Sequence, residues 1–357
     1  MDAWHGSPDV SCEDTQDELA AAGLTDGLPV VPPTAERVAR MLHACGLEPG
    51  AVLAVLPPSY DLATWQDVAI NAVMAGCRAE YLPVVGAAIA AIAADEFNLL
   101  GIATTTGSAT PLVIVNGPIV REIGMNAQAN ALGQGNRANA TIGRAVHLVL
   151  QNIGGAKPGE TDMATLGQPG KYTFCCAENE AESPWLPLHV ERGFAASASV
   201  VTVVGASGTI EVVDSESLTA ADLAQTFAQS MLIAGNIGSA GLIGGGEPFI
   251  IMPPEHAMVF QREGYTKEQA KAAIYERAVL AVDRLSAPMR ERVRANAAAD
   301  GTDGGVLRVA NSPQDLMIVV AGGVGRKAAY VPTWGGTTRA VSRALGVTLT
   351  ARPTRSP

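Results

Sequence analysis

Aromatic side chains make up only 4% of the 357 residues, so the core must be assembled from Ala, Val, Ile and Leu. Charge is also sparse, at 17%, and one-sided: 24 Lys and Arg against 35 Asp and Glu, a net charge of −11. Such a chain lacks the basic surface that displaces counterions from nucleic-acid phosphates, and anionic membrane surfaces repel it. Neither nucleic acid nor membrane is expected as a partner. The five cysteines are odd in number and contain no C-x-x-C pair, which argues against a disulfide framework or a zinc knuckle and for a reducing cytoplasm. The first 18 residues are acidic and hold no apolar run, unlike a signal peptide. The most apolar window, Leu82–Ala94, is broken by Pro83 and Gly86 and falls short of the roughly 20 residues a membrane helix needs. No Walker loop, H-E-x-x-H or G-x-S-x-G motif occurs.

What the chain does have is an apolar fraction of 48%, enough to exclude a disordered polymer. Short apolar runs alternate with segments of helical period. The runs at Ala51–Leu56, Leu112–Val115, Phe249–Met252 and Met317–Val320 predict strands. Helices are predicted from Thr34 to Gly46, through Trp65–Ala72, over Val84–Ala94 and Ala138–Ile153, after Thr219, after the Thr266/Gln269 capping box, and last over Thr337–Ala344. Val200–Val204 and Thr209–Val213 predict a hairpin across Gly205–Gly208, and Gly154–Phe194 reads as a long functional loop region. The fold class expected is therefore α/β, with mixed or mostly parallel sheets and flanking helices. A faint echo between Ala75–Pro83 and Ala321–Pro332 suggests two related halves around a cleft. The domain organisation expected is a flexible arm over 1–25, an α/β half over 26–195, a second over 196–350, and a flexible tail over 351–357.

Two segments concentrate chemistry. Cys175, Cys176, Glu178, Glu180, His189, Glu191 and Arg192 fall close together in a chain with only five histidines. A thiolate can act as nucleophile or redox group, a Glu/His pair can move protons near neutral pH, and His with carboxylates can hold a divalent metal. The second segment, Asn126–Arg144, brings Asn126, Asn130, Asn136, Arg137 and Asn139 to the start of a strong helix, a natural cradle for an anion. Its Gly133-x-Gly135-x-x-Ala138 spacing matches a dinucleotide fingerprint only formally, because the nearest apolar run ends at Val115, well upstream. Asn116, Glu255–His256 and Gly322–Gly323 each follow a predicted strand, the position where open α/β sheets bind ligands. Cys77 follows a glycine; most buried cysteines are inert packing. His5, His43 and His147 have no carboxylate or thiol beside them in sequence.

Several stretches carry a family resemblance: Asp26–Thr34 (DGLPVVPPT), Asn71–Cys77 (NAVMAGC), Val115–Ile119 (VNGPI), Asn136–Arg144 (NRANATIGR), Gly170–Cys175 (GKYTFC) with Ala177–Glu180 (AENE), and Pro187–Phe194 (PLHVERGF). Pro254–Ala257 (PEHA) and Ile318–Gly323 (IVVAGG) extend it. Over about residues 26 to 345 the chain resembles a group of bacterial proteins related to the UGSC (seleno)protein family. The resemblance implies redox-related chemistry and little about substrate. This chain has no Cys-Gly-Ser-Cys motif, so a dithiol is not implied. Cys77 and Cys175 stand where the resemblance leads one to expect cysteine, and Cys176 where relatives are expected to be apolar.

The leading expectation is a cytoplasmic enzyme of redox or lyase type acting on a small anionic metabolite. Cys77, Cys175, Glu178, Glu180, His189 and Glu191 would be catalytic, and Asn116, Asn126, Arg137, Asn139, Arg192 and His256 would bind substrate. One alternative is a metal-dependent lyase or hydrolase with Glu178, Glu180, His189 and Glu191 as ligands, with His256 as a further candidate. Another is a non-catalytic binding or assembly protein. The small-residue content is compatible with a homodimer. The expectation requires the segment near Trp185 to fold over the amino end of the helix containing Ile142.

Overall fold

The computed structural model describes residues 12–239, 241–299 and 304–346. Helices α1 (Cys12–Ala21) and α2 (Ala35–Cys45) come first. Thr34 caps α2 by accepting from Arg37 N, and Gly46 closes it in the left-handed region. A hairpin of β1 (Val52–Leu56) and β2 (Asp61–Thr64) leads into α3 (Trp65–Ala75), which a Thr64/Asp67 capping box opens. Then follow α4 (Leu82–Ile92), α5 (Leu99–Thr104), β3 (Thr110–Asn116), α6 (Ile119–Glu122), α7 (Arg137–Asn152), β4 (Cys175–Ala177), α8 (Leu188–Glu191) and β5 (Val200–Ala206). The remainder comprises β6 (Ile210–Val213), α9 (Ala220–Ser230), β7 (Phe249–Met252), α10 (Pro254–Arg262), α11 (Lys267–Arg277), β8 (Val279–Ala281), α12 (Ala287–Ala299), β9 (Val306–Arg308), β10 (Met317–Val320), β11 (Lys327–Val331) and β12 (Val341–Ala344).

Strand alternation explains how these elements stack. One four-stranded sheet has the order β12-β5-β3-β4 and the other β10-β7-β11-β6. In the first, Val113, Val115, Val201 and Val203 face α3, α4 and α7, whereas Leu112, Ile114 and Val204 face the opposite way. In the second, Ile250, Met252, Ile318 and Val320 face α9, α10 and α11, whereas Phe249, Ile251, Met317 and Val319 face the opposite way. The two inward faces meet in a common apolar layer. The molecule is thus four-layered, helices–sheet–sheet–helices, and the central strands β3, β5 and β7 are buried on both faces, as their continuous apolar runs require.

The sheets share one pattern. Each has a parallel edge pair, β3/β4 and β7/β10, followed by two antiparallel pairings, β3/β5/β12 and β7/β11/β6. Beyond the parallel strands, Glu178 N donates to Val115 O and Ala321 N donates to Met252 O. Glu178 and Ala321 therefore occupy equivalent positions, as do Asn116 and Pro253. The α/β class with mixed sheets and two related halves is what the structure has. The 75–83 and 321–332 echo is not its source: the first segment joins two helices and the second joins two strands.

Several expectations are corrected. The predicted hairpin does not form: β5 lies in the first sheet and β6 in the second, and Gly205–Gly208 crosses between them. The last predicted helix is strand β12, because Val341–Ala344 pairs with β5; a short Ala/Val segment takes the form its neighbour offers. The half boundary at 195/196 moves accordingly, since β5 and β12 both belong to the first sheet. The two crossovers run side by side, with Ser207 N donating to Pro332 O and Trp334 N to Gly205 O. Between the two sheets lies an apolar layer. The arm is docked from α1 onward: Leu19 is buried, and Arg144 holds Asp26 through two bonds of 2.7 and 2.8 Å. Within the supposed loop 154–194, Cys175 and Cys176 are strand residues. His5, residues 1–11 of the arm and the tail 351–357 lie outside the described residues. Among the described residues no single helix is long and apolar enough to cross a membrane.

Candidate functional site

The apolar layer between the sheets ends in polar side chains. Asn116 follows Leu112 and Ile114 at the period of two, and Glu178 follows Cys176 in the same way, so both face the inter-sheet layer at the ends of β3 and β4. Gly117 turns the chain there. It has φ of 87°, and a Cβ would stand 2.1 Å from Ala198 O, so no other residue fits. Asn116 Nδ2 donates to Glu178 Oε2 at 2.6 Å and to Glu180 Oε1 at 3.0 Å. Gly117 N donates to Glu180 Oε1 at 2.7 Å. Pro187 starts α8, whose first amide, Leu188 N, donates to Glu178 Oε2 at 2.8 Å. The next residue, His189, is fully buried, with Nδ1 3.7 Å from Glu180 Oε1. Asn179 N reaches across to Val320 O at 2.7 Å and ties this turn to the edge of the second sheet.

Five buried polar atoms here have no hydrogen-bond partner among the described residues: Asn116 Oδ1, Glu178 Oε1, Asn179 Nδ2 and both ring nitrogens of His189. Buried polar atoms in folded proteins are almost always paired, so a cluster of exceptions marks a place built to meet something else. Burial pushes the Glu178 carboxyl above its usual range; the charge of Lys267 and the bonds from Leu188 and Asn116 oppose that rise, and Glu180 adds to it.

Two lysines complete the site. Lys267 and Lys271, one turn apart on α11, are both almost fully buried and both reach Glu191 on α8. Lys267 Nζ lies 2.9 Å from Glu191 Oε2 and also donates to Leu186 O at 3.2 Å. Burial pushes both ammonium groups down, Lys271 to about 8. Neither lysine was expected from the sequence, nor was Asn179. One signal was present: Lys267 follows the capping Thr266 directly, and a cation there opposes the helix dipole.

The structure thus brings Asn116, Glu178, Glu180, His189 and Glu191 together. The other expected site residues go elsewhere. Asn126 and Asn139 hold each other: Asn139 Oδ1 accepts from Asn126 N at 3.0 Å, and its Nδ2 donates to Asn126 O and Ala131 O. They close the 126–136 loop, where Gln128 lies 3.4 Å from Glu182. Arg137 turns away and donates to Gly76 O. Arg192 donates to Ser342 Oγ and Ala340 O at β12. His256 is buried in the second half, with Nε2 2.9 Å from Asp214 O and its ring edge-on to Phe227. Trp185 packs on Phe260 and donates to Tyr265 O, so it lies against α10 and not over the amino end of α7.

Cys45, Cys77, Cys175 and Cys176 are free and buried. Desolvation pushes Cys77 and Cys176 up to about 12 and Cys175 well above its usual range. Groups in that state remain protonated and unreactive. Cys77 donates to Thr141 O at 3.2 Å, on the far side of β4 from Glu178. Among the described residues no three His, Cys, Asp or Glu side chains are disposed to hold a metal ion. The Glu180 oxygen beside His189, Oε1, is already engaged by the Asn116 amide and by Gly117 N.

The chain was compared with protein-family models, curated proteins and solved structures, and no match was found.

Proposed function

We propose that this protein is an acid–base enzyme of lyase type acting on a small anionic metabolite at the ends of β3 and β4. The observation that carries the reading is the convergence of Asn116, Glu178, Asn179 and His189, all buried, with five polar atoms lacking a partner among the described residues. Glu178 is the proton donor. Its Oε2 is held by Asn116 and Leu188, and its Oε1 is free to carry a proton that burial retains at higher pH than usual. His189 is the proton acceptor, steadied by Glu180 at the solvent-facing rim. Lys267 and Lys271 share the single carboxylate of Glu191, so the floor keeps a positive charge for an anionic group of the substrate. The protonated state of Cys77 and Cys175 supports chemistry without a thiolate. Four free thiols among the described residues support a reducing, cytoplasmic setting.

The test is turnover of a mixture of small hydroxy and keto acids in deuterium oxide, followed by mass spectrometry. The expected result is gain or loss of water, or solvent deuterium, in one compound. Glu178→Gln and His189→Ala should each lower that rate about 100-fold or more while leaving the circular dichroism spectrum unchanged. Parent-like rates in both variants, or no compound altered by the parent protein, would overturn the reading.

A further inference from the structure

A second site lies on another face of α7. Arg137 and Asn139 are two positions apart on that helix, about 200° around its axis. While Asn139 serves the loop beside the Glu178 cluster, Arg137 faces a separate cavity of about 350 Å³. Arg37, Arg40, Arg78 and Arg137 all line it, together with Cys77 and one carboxylate, Glu80. In a chain with net charge −11, four guanidinium groups around one small space are a local concentration of positive charge. Two of them are already oriented. Arg37 Nη1 donates to Pro32 O at 2.8 Å, and Arg137 Nε donates to Gly76 O at 2.9 Å. The terminal nitrogens of Arg137 make no hydrogen bond to a described residue.

Carboxylates balance only part of this charge: Arg40 lies 3.8 Å from Glu36, and Glu80 lines the cavity. Arg137 is the first residue of a 16-residue helix whose first turn carries no acidic residue, so its charge meets the positive end of the helix dipole. An anion in the cavity would offset that cost. Cys77 Sγ is committed to Thr141 O, which makes the cavity floor neutral and unreactive. Arginine forks pair with planar or tetrahedral oxyanions. Four forks offer more donors than one carboxylate accepts, whereas a phosphoryl group presents three strong acceptor oxygens.

We propose that this arginine-lined cavity binds a phosphoryl group, independently of the chemistry assigned to Glu178. Calorimetric titration of the full chain with inorganic phosphate, pyrophosphate and glycerol 1-phosphate, at matched ionic strength in chloride, tests it. One saturable site per chain is expected. Arg78→Gln and Arg137→Gln should each weaken binding at least tenfold, and Arg137→Lys should do so too, because it keeps the charge and loses the fork. Arg294→Gln, at an exposed pair with Asp283, and Glu178→Gln should leave the affinity unchanged. Tighter binding of the ester than of inorganic phosphate identifies a phosphorylated metabolite as the occupant, and the reverse identifies the free ion. Absence of saturable binding for all three probes, or equal affinity in the Arg78 and Arg137 variants, would overturn the proposal.

Discussion

The ends of the two parallel strand pairs occupy matching places in the fold and carry opposite chemistry. At the end of β3/β4 stand Asn116 and the run Glu178–Asn179–Glu180; at the end of β7/β10 stand Pro253 and the run Ala321–Gly322–Gly323. The backbone bonds that fix these positions are the same, from Glu178 N to Val115 O and from Ala321 N to Met252 O. The first end keeps buried donors and acceptors without partners among the described residues. The second gives them up for closeness: Gly322 N bonds Ala127 O, and a Cβ on Gly323 would stand 2.7–3.0 Å from Ala129. One scaffold, used twice, supplies a polar turn and a turn that clamps the 126–136 loop.

The contrast can be broken most strongly at Glu178. Glu178→Gln keeps an acceptor for Asn116 and Leu188 but cannot supply the proton, so turnover should fall about 10²–10⁴-fold with little change in the thermal midpoint. The converse exchange, Ala321→Glu, should destabilise the protein by about 3–5 kcal/mol in urea unfolding. Its carboxylate would enter the inter-sheet layer opposite Pro253, which has neither an N–H nor a polar side chain to offer. A loss below about 1 kcal/mol would show that the two ends are interchangeable. Gly323→Val should cost about 1–3 kcal/mol through collision with Ala129, and should speed proteolysis within residues 126–136. The smallest effect is a slope. Lys271 releases its proton at about 8 in the folded chain and at 10.5 when unfolded. Between those values the unfolded state binds more protons, so stability should rise with pH by about 1 kcal/mol per unit. Lys271→Met should flatten that rise; an unchanged slope would place the lysine in water.

Much of the fold was legible because local chemistry and final form agree. Thr34, Thr219 and Thr266 cap helices where their side chains predict. The apolar runs at Leu112, Phe249 and Met317 are strands buried on both faces. What could not be read depends on distant partners. β4 has three residues, too few for a period, and exists because Val113–Val115 pair with it. β12 looks helical until β5 lies beside it. The crossover at Gly205–Gly208 resembles a turn, since glycine permits either path. At the site, scarce His189 stood amid carboxylates in the sequence, and the fold sets it 3.7 Å from Glu180. Arg137 and Cys77 drew attention for their chemistry, and only the fold shows them sharing a different cavity. Lys267 and Lys271 read as solvated helix positions because their burial is produced by α8, more than seventy residues upstream.

The exchange of strands at the paired crossovers has a consequence for synthesis. A ribosome making this chain releases α3, α4, β3, β4 and β5 well before β12, the strand that flanks β5. Until then the outer side of β5 presents unpaired backbone groups, the kind of edge that recruits neighbouring nascent chains. The first half therefore cannot mature until β12 emerges, whereas every strand of the second sheet is already out by Val331.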